Sequence, residues 1–122
     1  MKNARVLREE YLRELDFSIS EKNFTTRVKG IFRAAGWLTY HTWNSKHSDA
    51  GFPDLICVKD ERIVAIELKV GRNRPTGHQR RWLEALARAG IETYVMWPRY
   101  EPEITKIAAG ESSAREGKLE KR

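Results

Sequence analysis

The sequence predicts an α/β fold in which helices flank a mixed four-stranded sheet. Residues 63–70 alternate between two sets of side chains, which is typical of a β-strand. Two other segments carry apolar residues at helical spacing, and they end at Gly36 and Gly90. The predicted order is helix, strand, strand, strand, helix, strand. The first three strands then form an antiparallel meander, and a right-handed helical crossover makes the fourth strand parallel to the third.

The segment that precedes this core, residues 1–17, is predicted to form an amphipathic helix. Its apolar positions are Val6, Leu7, Tyr11, Leu12 and Leu15. Such a stripe packs either on its own domain or on a second copy of the chain, and we expect a dimer contact. The core domain is expected to span residues 18–109, and the charged tail of residues 110–122 is expected to be disordered.

The first half of the core combines a helix, a strand and a loop. The helix carries its apolar stripe at Phe24, Val28, Ile31, Phe32 and Ala35. Aromatic and β-branched residues then predict a strand from Trp37 to Trp43, and the polar residues 44–50 predict a loop. We expect His41, His47 and Asp49 to be solvated, although contact with a nucleic acid is the alternative.

The second half begins with a hairpin and ends with a strand. Leu55 to Val58 is an apolar run, a polar turn covers residues 59–62, and residues 63–70 form the second arm. After the break at residues 71–75, the motif Thr76-x-x-Gln79 opens a helix with apolar positions at Trp82, Leu83, Leu86 and Ala87. A strand from Glu92 to Trp97 stops at Pro98, and a short closing helix follows near residues 102–108.

Two carboxylates and an amine come together in the predicted hairpin. Asp54 begins the first arm and sits across from Glu67, while Glu67 and Lys69 point to the same side of the second arm. Burying two adjacent carboxylates costs several kcal/mol unless a cation or proton compensates them. The pattern therefore predicts a Mg²⁺ site, with Lys69 placed to orient or help deprotonate a water, or to stabilise charge on a phosphate. The alternative is a turn residue beside a solvent-facing Glu67–Lys69 pair.

Two further polar residues have both a catalytic and a capping interpretation. Glu21 lies one turn before Phe24 on the inward stripe and could reach the metal directly or through water. It also fits a capping box with Ser18. Gln79 likewise fits a capping box with Thr76, which is as plausible from the residues alone as a catalytic role.

The chain resembles the virus-type replication-repair nuclease (VRR-NUC) domain of the PD-(D/E)XK nuclease superfamily. The resemblance covers roughly Glu21 to Trp97. It rests on the order and spacing of Glu21, Gly36-Trp37, Gly51-Phe-Pro-Asp54, Glu67-Leu-Lys69, Gln79 and Trp97-Pro98.

This resemblance implies a restriction-endonuclease-like αβββαβ core and assigns roles to the site residues. Asp54 and Glu67 would bind Mg²⁺ together with the Leu68 carbonyl, and Mn²⁺ would be able to replace Mg²⁺. Glu21 would be an outer or additional ligand, Lys69 the catalytic lysine, and Gln79 a residue that organises the active site.

The composition favours a polyanionic partner. The 122 residues carry a formal net charge of +6, and basic side chains cluster after the catalytic strand. We expect DNA contacts from Arg72, Arg74, His78, Arg80, Arg81 and Lys46, with Arg27, Lys29 and Arg33 extending the track. The alternative for each is a solvated surface. No segment resembles a base-reading helix or zinc finger, so we expect recognition of DNA shape.

The remaining features indicate one intracellular domain. Cys57, the single cysteine, lies in an apolar strand and is expected to be a core thiol, which excludes a disulfide framework. No signal peptide or long apolar run is present, so a soluble, cytoplasmic protein without membrane contact is expected.

Together these observations predict a Mg²⁺-dependent, structure-selective endonuclease acting on branched DNA. The resemblance favours a homodimeric enzyme similar to Holliday-junction resolvases. Flap cleavage or nicking of other replication and repair structures is the nearest alternative. A DNA-binding accessory module without turnover is a second, and an RNA-directed or sequence-specific restriction-like enzyme is a third.

Overall fold

The structure is a computed structural model that describes residues 2–42 and 49–111. Its elements in chain order are helices α1 (Ala4–Ser18) and α2 (Glu21–Ala34), strands β1 (Leu38–His41), β2 (Leu55–Lys59) and β3 (Arg62–Leu68), helix α3 (Gly77–Arg88), strand β4 (Glu92–Met96), a 3₁₀ turn (Pro98–Tyr100) and helix α4 (Glu101–Ala108). The predicted α/β class and the predicted order of the elements are confirmed.

The four strands form one mixed sheet in the order β1-β2-β3-β4. The antiparallel pairs place Leu38 opposite Val58 and Leu55 opposite Ile66. Strand β4 is parallel to β3, with Glu67 paired to Val95, and α3 forms the crossover between them. The predicted meander and crossover are therefore both present.

The alternation of β3 divides its side chains between two environments, as predicted. Val64, Ile66 and Leu68 belong to the main hydrophobic core, together with residues of α2 and α4. On the opposite face, Val95 and Trp97 pack with Leu83 of α3. Cys57 is fully buried in the main core, which confirms its interpretation as a core thiol.

Helix α2 begins differently from the capping-box alternative. Ser18 is the last residue of α1, and its hydroxyl donates to the Leu15 carbonyl at 3.0 Å. Ser20 caps α2 instead, since its hydroxyl accepts from the Asn23 amide at 3.1 Å. Glu21 is thus the first helical residue, and the proposed pairing of Ser18 with Glu21 as a capping box is wrong.

The C-terminal end of α1 packs against its own domain. Asp16 is buried, and its Oδ1 accepts from the Arg99 amide at 2.8 Å. The Asp16 carbonyl accepts from the Gly71 amide at 2.5 Å. Of the predicted stripe, Leu12 and Leu15 are half-buried, whereas Leu7 and Tyr11 are exposed. The C-terminal end of α1 is thus anchored to its own domain, while apolar side chains nearer its N-terminus are exposed to solvent.

No helix within the described ranges 2–42 and 49–111 combines the length and hydropathy that a membrane-spanning helix needs.

Candidate active site

Asp54 and Glu67 face each other across the β2–β3 hairpin. Leu55 pairs with Ile66 in this antiparallel ladder, so the residue before Leu55 lies opposite the residue after Ile66. The two side chains share a hydrogen bond. The prediction that these carboxylates meet is confirmed, and the reason is the register of the hairpin.

Backbone groups hold Asp54 in place. The Leu68 amide donates to Asp54 Oδ2 at 2.8 Å, so the carboxylate is tied to the strand that carries Glu67. The Thr42 amide donates to the Asp54 carbonyl at 2.8 Å, and the Thr42 hydroxyl donates to the Pro53 carbonyl at 2.5 Å. Contacts from the end of β1 and from β3 therefore fix both the main chain and the side chain of Asp54.

Glu67 and Lys69 lie on the same side of β3 and are both buried. Lys69 Nζ lies 3.5 Å from Glu67 Oε2. Glu67 is only 1% exposed and Lys69 only 8% exposed. The alternative of a solvent-facing pair is therefore wrong. Glu67 is paired with Val95, which packs against Leu83 of α3, so this helix lies on the same face of the sheet.

One oxygen of the carboxylate pair is left without compensation. Glu67 Oε1 is buried and has no hydrogen-bond partner among residues 2–42 and 49–111. A buried acceptor left unsatisfied costs about 1–3 kcal/mol, and more when the group is charged. Glu67 Oε1 and the neighbouring Asp54 carboxylate are oxygen donors of the kind that a hard divalent cation prefers.

The pKa values show how the pair behaves without a cation. Burial, and after it the charge of Asp54, raises the pKa of Glu67 to about 8, although Lys69 opposes both effects. Burial also raises the pKa of Asp54, against the hydrogen bond from the Leu68 amide. The metal-free site thus retains a proton that a bound cation would replace.

Glu21 approaches the same site from the start of α2. Burial of its carboxyl group raises its pKa, the charge of Asp54 raises it further, and Lys69 lowers it. These interactions place Glu21 within electrostatic reach of both residues, although much of its side chain is exposed. The structure thus brings together Glu21, Asp54, Glu67 and Lys69, as the sequence predicts.

His41, which the sequence predicts to be solvated, lies next to the site. It lies at the exposed end of β1, where it pairs with Leu55, and its charge lowers the pKa of Asp54. The signal that could have found it is the ladder register, because a residue opposite Leu55 is adjacent to Asp54.

Gln79 takes part in the capping box that the sequence offered as an alternative. Its Oε1 accepts from the Thr76 amide at 2.8 Å, and its own amide donates to the Thr76 hydroxyl at 3.2 Å. The capping interpretation is confirmed. The role of Gln79 in organising the active site stays a prediction.

The donor set is small. In the described part of the chain, no group of three or more His, Cys, Asp or Glu side chains is close enough to bind a metal ion by itself. Mg²⁺ commonly binds through one or two carboxylates and completes its coordination with water and substrate oxygens. A pair of carboxylates with an unsatisfied oxygen fits that mode of binding.

Five of the predicted DNA-contacting residues lie on two segments, the loop after β3 and the start of α3. Arg72 and Arg74 are exposed in the loop after β3, and three more are exposed or solvent-facing on the first turns of α3, namely His78, Arg80 and Arg81. Lys46, like His47, lies outside the described residues. The loop after β3 and the start of α3 therefore present basic side chains to solvent.

Gly51 fixes the loop before Asp54 against α3. Its φ is +94°, and a Cβ atom at this position would lie 2.5 Å from the His78 carbonyl carbon. Phe52 packs edge-to-face on Trp82 of the same helix, with 5.0 Å between ring centroids. Because the loop approaches the α3 backbone so closely at residue 51, only glycine fits there. This contact fixes the position of the loop just before Asp54 and β2.

Comparison with known proteins assigns the chain to a family. The family described as the VRR-NUC domain matches residues 5–97, which include all of α1 but its first residue and every strand of the sheet. No curated protein and no solved structure gives a significant match.

Proposed function

We propose that this chain, which belongs to the VRR-NUC domain family of PD-(D/E)XK-type nucleases, is a Mg²⁺-dependent endonuclease that cuts branched DNA. One observation carries the proposal. Asp54 and Glu67 form a carboxylate pair with a buried, unsatisfied oxygen, and a buried lysine lies beside them. A purely structural role would not explain why this oxygen has no partner in the part of the chain that the structure describes.

The metal would be held by Asp54, Glu67 and the Leu68 carbonyl, with Glu21 as an outer ligand. When bound, Mg²⁺, or Mn²⁺ in its place, would supply positive charge that polarises the scissile phosphate and favours ionisation of the attacking water. The geometry supports this, since the Leu68 amide holds Asp54 just before β2 and the hairpin register places it opposite Glu67 of β3.

Lys69 acts on the water and on the phosphate. Its ammonium group is anchored by Glu67 Oε2 at 3.5 Å, so it is held at the edge of the carboxylate pair. From there it donates hydrogen bonds to the attacking water and to a phosphate oxygen, whose negative charge grows in the transition state. The oxygen of the water forms a new P–O bond while the P–O bond to the leaving oxygen, in line with it, breaks. The proton of the water passes to solvent, and the leaving oxygen takes a proton from solvent.

The basic residues provide the DNA-binding surface. Arg72 and Arg74 follow the catalytic strand directly, and His78, Arg80 and Arg81 continue the positive surface along α3. Lys46, in the segment before Asp49, is proposed to add a phosphate contact. Contacts to phosphates position a duplex without reading its sequence, which supports selection by DNA structure.

A four-way junction is the substrate that we consider first. Two copies related by a two-fold axis would carry two active sites and suit symmetric cutting of a Holliday junction. Exposed apolar side chains, Leu7 and Tyr11 on α1 and Leu38 and Tyr40 on β1, support contact between copies. Flap cleavage and nicking of other branched structures remain alternatives for the same active site.

A cleavage assay tests the proposal. Labelled four-way junction, flap and linear duplex DNA are incubated with the protein in Mg²⁺ or Mn²⁺, beside Asp54→Asn and a matched control, Glu61→Gln. Glu61 is an exposed carboxylate in the β2–β3 turn of the same hairpin. We expect Asp54→Asn to abolish cutting and Glu61→Gln to retain it.

The outcomes separate the alternatives. Equal rates on junction and linear duplex would eliminate the resolvase proposal while leaving a nuclease. If no substrate is cut, and wild type and Asp54→Asn bind DNA equally in Mg²⁺ or Mn²⁺, the chain is a DNA-binding module instead.

A further inference from the structure

A basic pocket lies beside the catalytic strand, between the end of α1 and the segments that follow β3 and β4. It encloses a cavity of about 350 Å³. Six side chains that carry its chemistry line it, namely Arg13, Phe17, Arg72, Arg74, Trp97 and Arg99. Since a water molecule takes about 30 Å³ in the liquid, the cavity has room for a group much larger than one water.

The pocket is rich in positively charged side chains. Four of the six are arginines, and one of them, Arg99, pairs with Asp16, whose Oδ2 lies 3.5 Å from Arg99 Nη1. Asp16 is buried and offsets the charge of Arg99. The pocket is open to solvent through the exposed side chains of Arg13, Arg72 and Arg74.

Aromatic rings orient the guanidinium groups. Arg72 lies over the Phe17 ring at 6.0 Å, and Arg74 lies over the Trp97 ring at 5.5 Å. Arg99 also lies over Trp97, at 5.6 Å. A guanidinium group that stacks through its face can still donate through its planar edge, and such an edge matches the oxygens of a phosphate. Phe17 is 65% exposed, so its ring can also contact a nucleotide base.

The pocket is linked to the active site through the backbone. Gly71, two residues after Lys69, donates its amide to the Asp16 carbonyl at 2.5 Å. The end of α1 thus rests on the continuation of the strand that carries Glu67 and Lys69. A DNA strand bound at the carboxylate pair would have a short path from there to the four arginines.

We propose that this pocket binds a backbone phosphate of the DNA outside the metal site, so that α1 forms part of the DNA-binding surface through Arg13 and Phe17. This inference rests on the proposed function, since it supplies a second point of attachment for the same substrate. It assigns to α1 a role in substrate binding in addition to any contact between copies.

The test compares two arginines on one helix. Arg13→Gln removes a charge inside the pocket, and Arg8→Gln removes the same charge from an exposed position of α1 that does not line it. Binding of a fluorescent branched oligonucleotide is measured by anisotropy in EDTA over a range of NaCl concentrations, without cleavage. Thermal unfolding verifies that both variants fold.

We expect Arg13→Gln to weaken binding about 3- to 10-fold and to reduce the slope of log K against log salt by about 0.9, which corresponds to one phosphate contact. Arg8→Gln should change both quantities much less. A double variant, Arg13→Gln with Phe17→Ser, should weaken binding further through loss of base stacking.

Equal effects of Arg13→Gln and Arg8→Gln would overturn the inference, because the charge would then act only at long range. A change in oligomeric state with unaltered DNA binding would overturn it too, and would identify this face as an interface between copies. The proposed function fails separately. If Arg13→Gln weakens DNA binding but the wild-type protein cuts no DNA, the pocket is supported and the nuclease is refuted. If the wild-type protein cuts DNA but Arg13→Gln and Arg8→Gln bind it equally well, the nuclease is supported and the pocket is refuted.

Discussion

Lys69 Nζ lies 3.5 Å from Glu67 Oε2, while the other oxygen of the same carboxylate, Oε1, is buried without a partner in the described residues. Lys69 therefore interacts with one oxygen of the Glu67 carboxylate and leaves the other without a partner in the described residues. Asp54 shares a hydrogen bond with Glu67 and cannot supply a positive charge. A bound cation would compensate the remaining charge, and the consequences can be measured without any knowledge of the substrate.

The free energy of unfolding of the metal-free protein should fall as the pH rises from about 4.5 to about 8. Glu67 has an ordinary pKa of 4.5, and burial raises it to about 8 in the folded state. Between these values the folded state holds a proton that the unfolded state has lost, so stability decreases with pH. The burial-driven shifts of Asp16, Glu21 and Asp54 have the same sign. The total loss should reach a few kcal/mol, at about 1.4 kcal/mol per pKa unit.

Urea unfolding in EDTA at several pH values measures this dependence. Glu67→Gln serves as the control, because a neutral amide keeps the hydrogen bond to Asp54 and removes the titration. Its stability should be less dependent on pH and should exceed that of the wild type at pH 9. A wild-type stability that increases between pH 5 and pH 8 would contradict the assignment of a raised pKa to Glu67.

Mg²⁺ should raise the midpoint of thermal unfolding of the wild type at pH 8, because it binds the folded carboxylate pair and displaces a proton. The increase should disappear in Asp54→Asn and in Glu67→Gln, which each remove one ligand. Differential scanning fluorimetry over a Mg²⁺ titration measures the change. Glu61→Gln keeps the site intact and should respond like the wild type; an equal response of all four proteins would indicate nonspecific binding.

Lys69→Met should reduce the rate of DNA cleavage by about 10²- to 10³-fold, since it removes a donor that stabilises charge in the transition state. The Mg²⁺-dependent increase in thermal stability should persist, because both carboxylates remain. Lys106→Met, at an exposed position of α4, is the matched control and should cut at the wild-type rate. Single-turnover kinetics make the comparison; an unaltered rate in Lys69→Met would remove this residue from the mechanism.

Gly51→Ala should destabilise the fold by more than about 2 kcal/mol. Its φ of +94° strains any L side chain, and the new Cβ would lie within 2.8 Å of three His78 atoms, two of them backbone. Gly77→Ala is the control, since no atom lies within 4 Å of a Cβ there and the residue opens α3. It should be neutral or stabilising by up to about 1 kcal/mol. Chemical denaturation compares the two, and equal effects would refute the close approach of the loop to α3.

The hairpin and its polar residues could be predicted from sequence because the relevant rules are local. The period of two in a strand places Glu67 and Lys69 on one side, and a short turn between two β-branched arms brings Asp54 opposite Glu67. The same local rules gave the Gln79 capping box but placed the cap of α2 at the wrong serine. Ser18 and Ser20 both satisfy the local preference, and the choice depends on how far α1 extends.

The sequence alone therefore determined the order of elements, the pairing of the carboxylates and the side of β3 that carries the lysine. Tertiary structure decided that Glu67 and Lys69 are buried, that Glu21 and His41 approach Asp54, and that Arg13 and Arg99 meet in one pocket. The physical reason is the range of the interactions. Backbone geometry repeats every two to four residues and can be recognised in a short window, whereas burial and electrostatic proximity depend on which distant segments pack together.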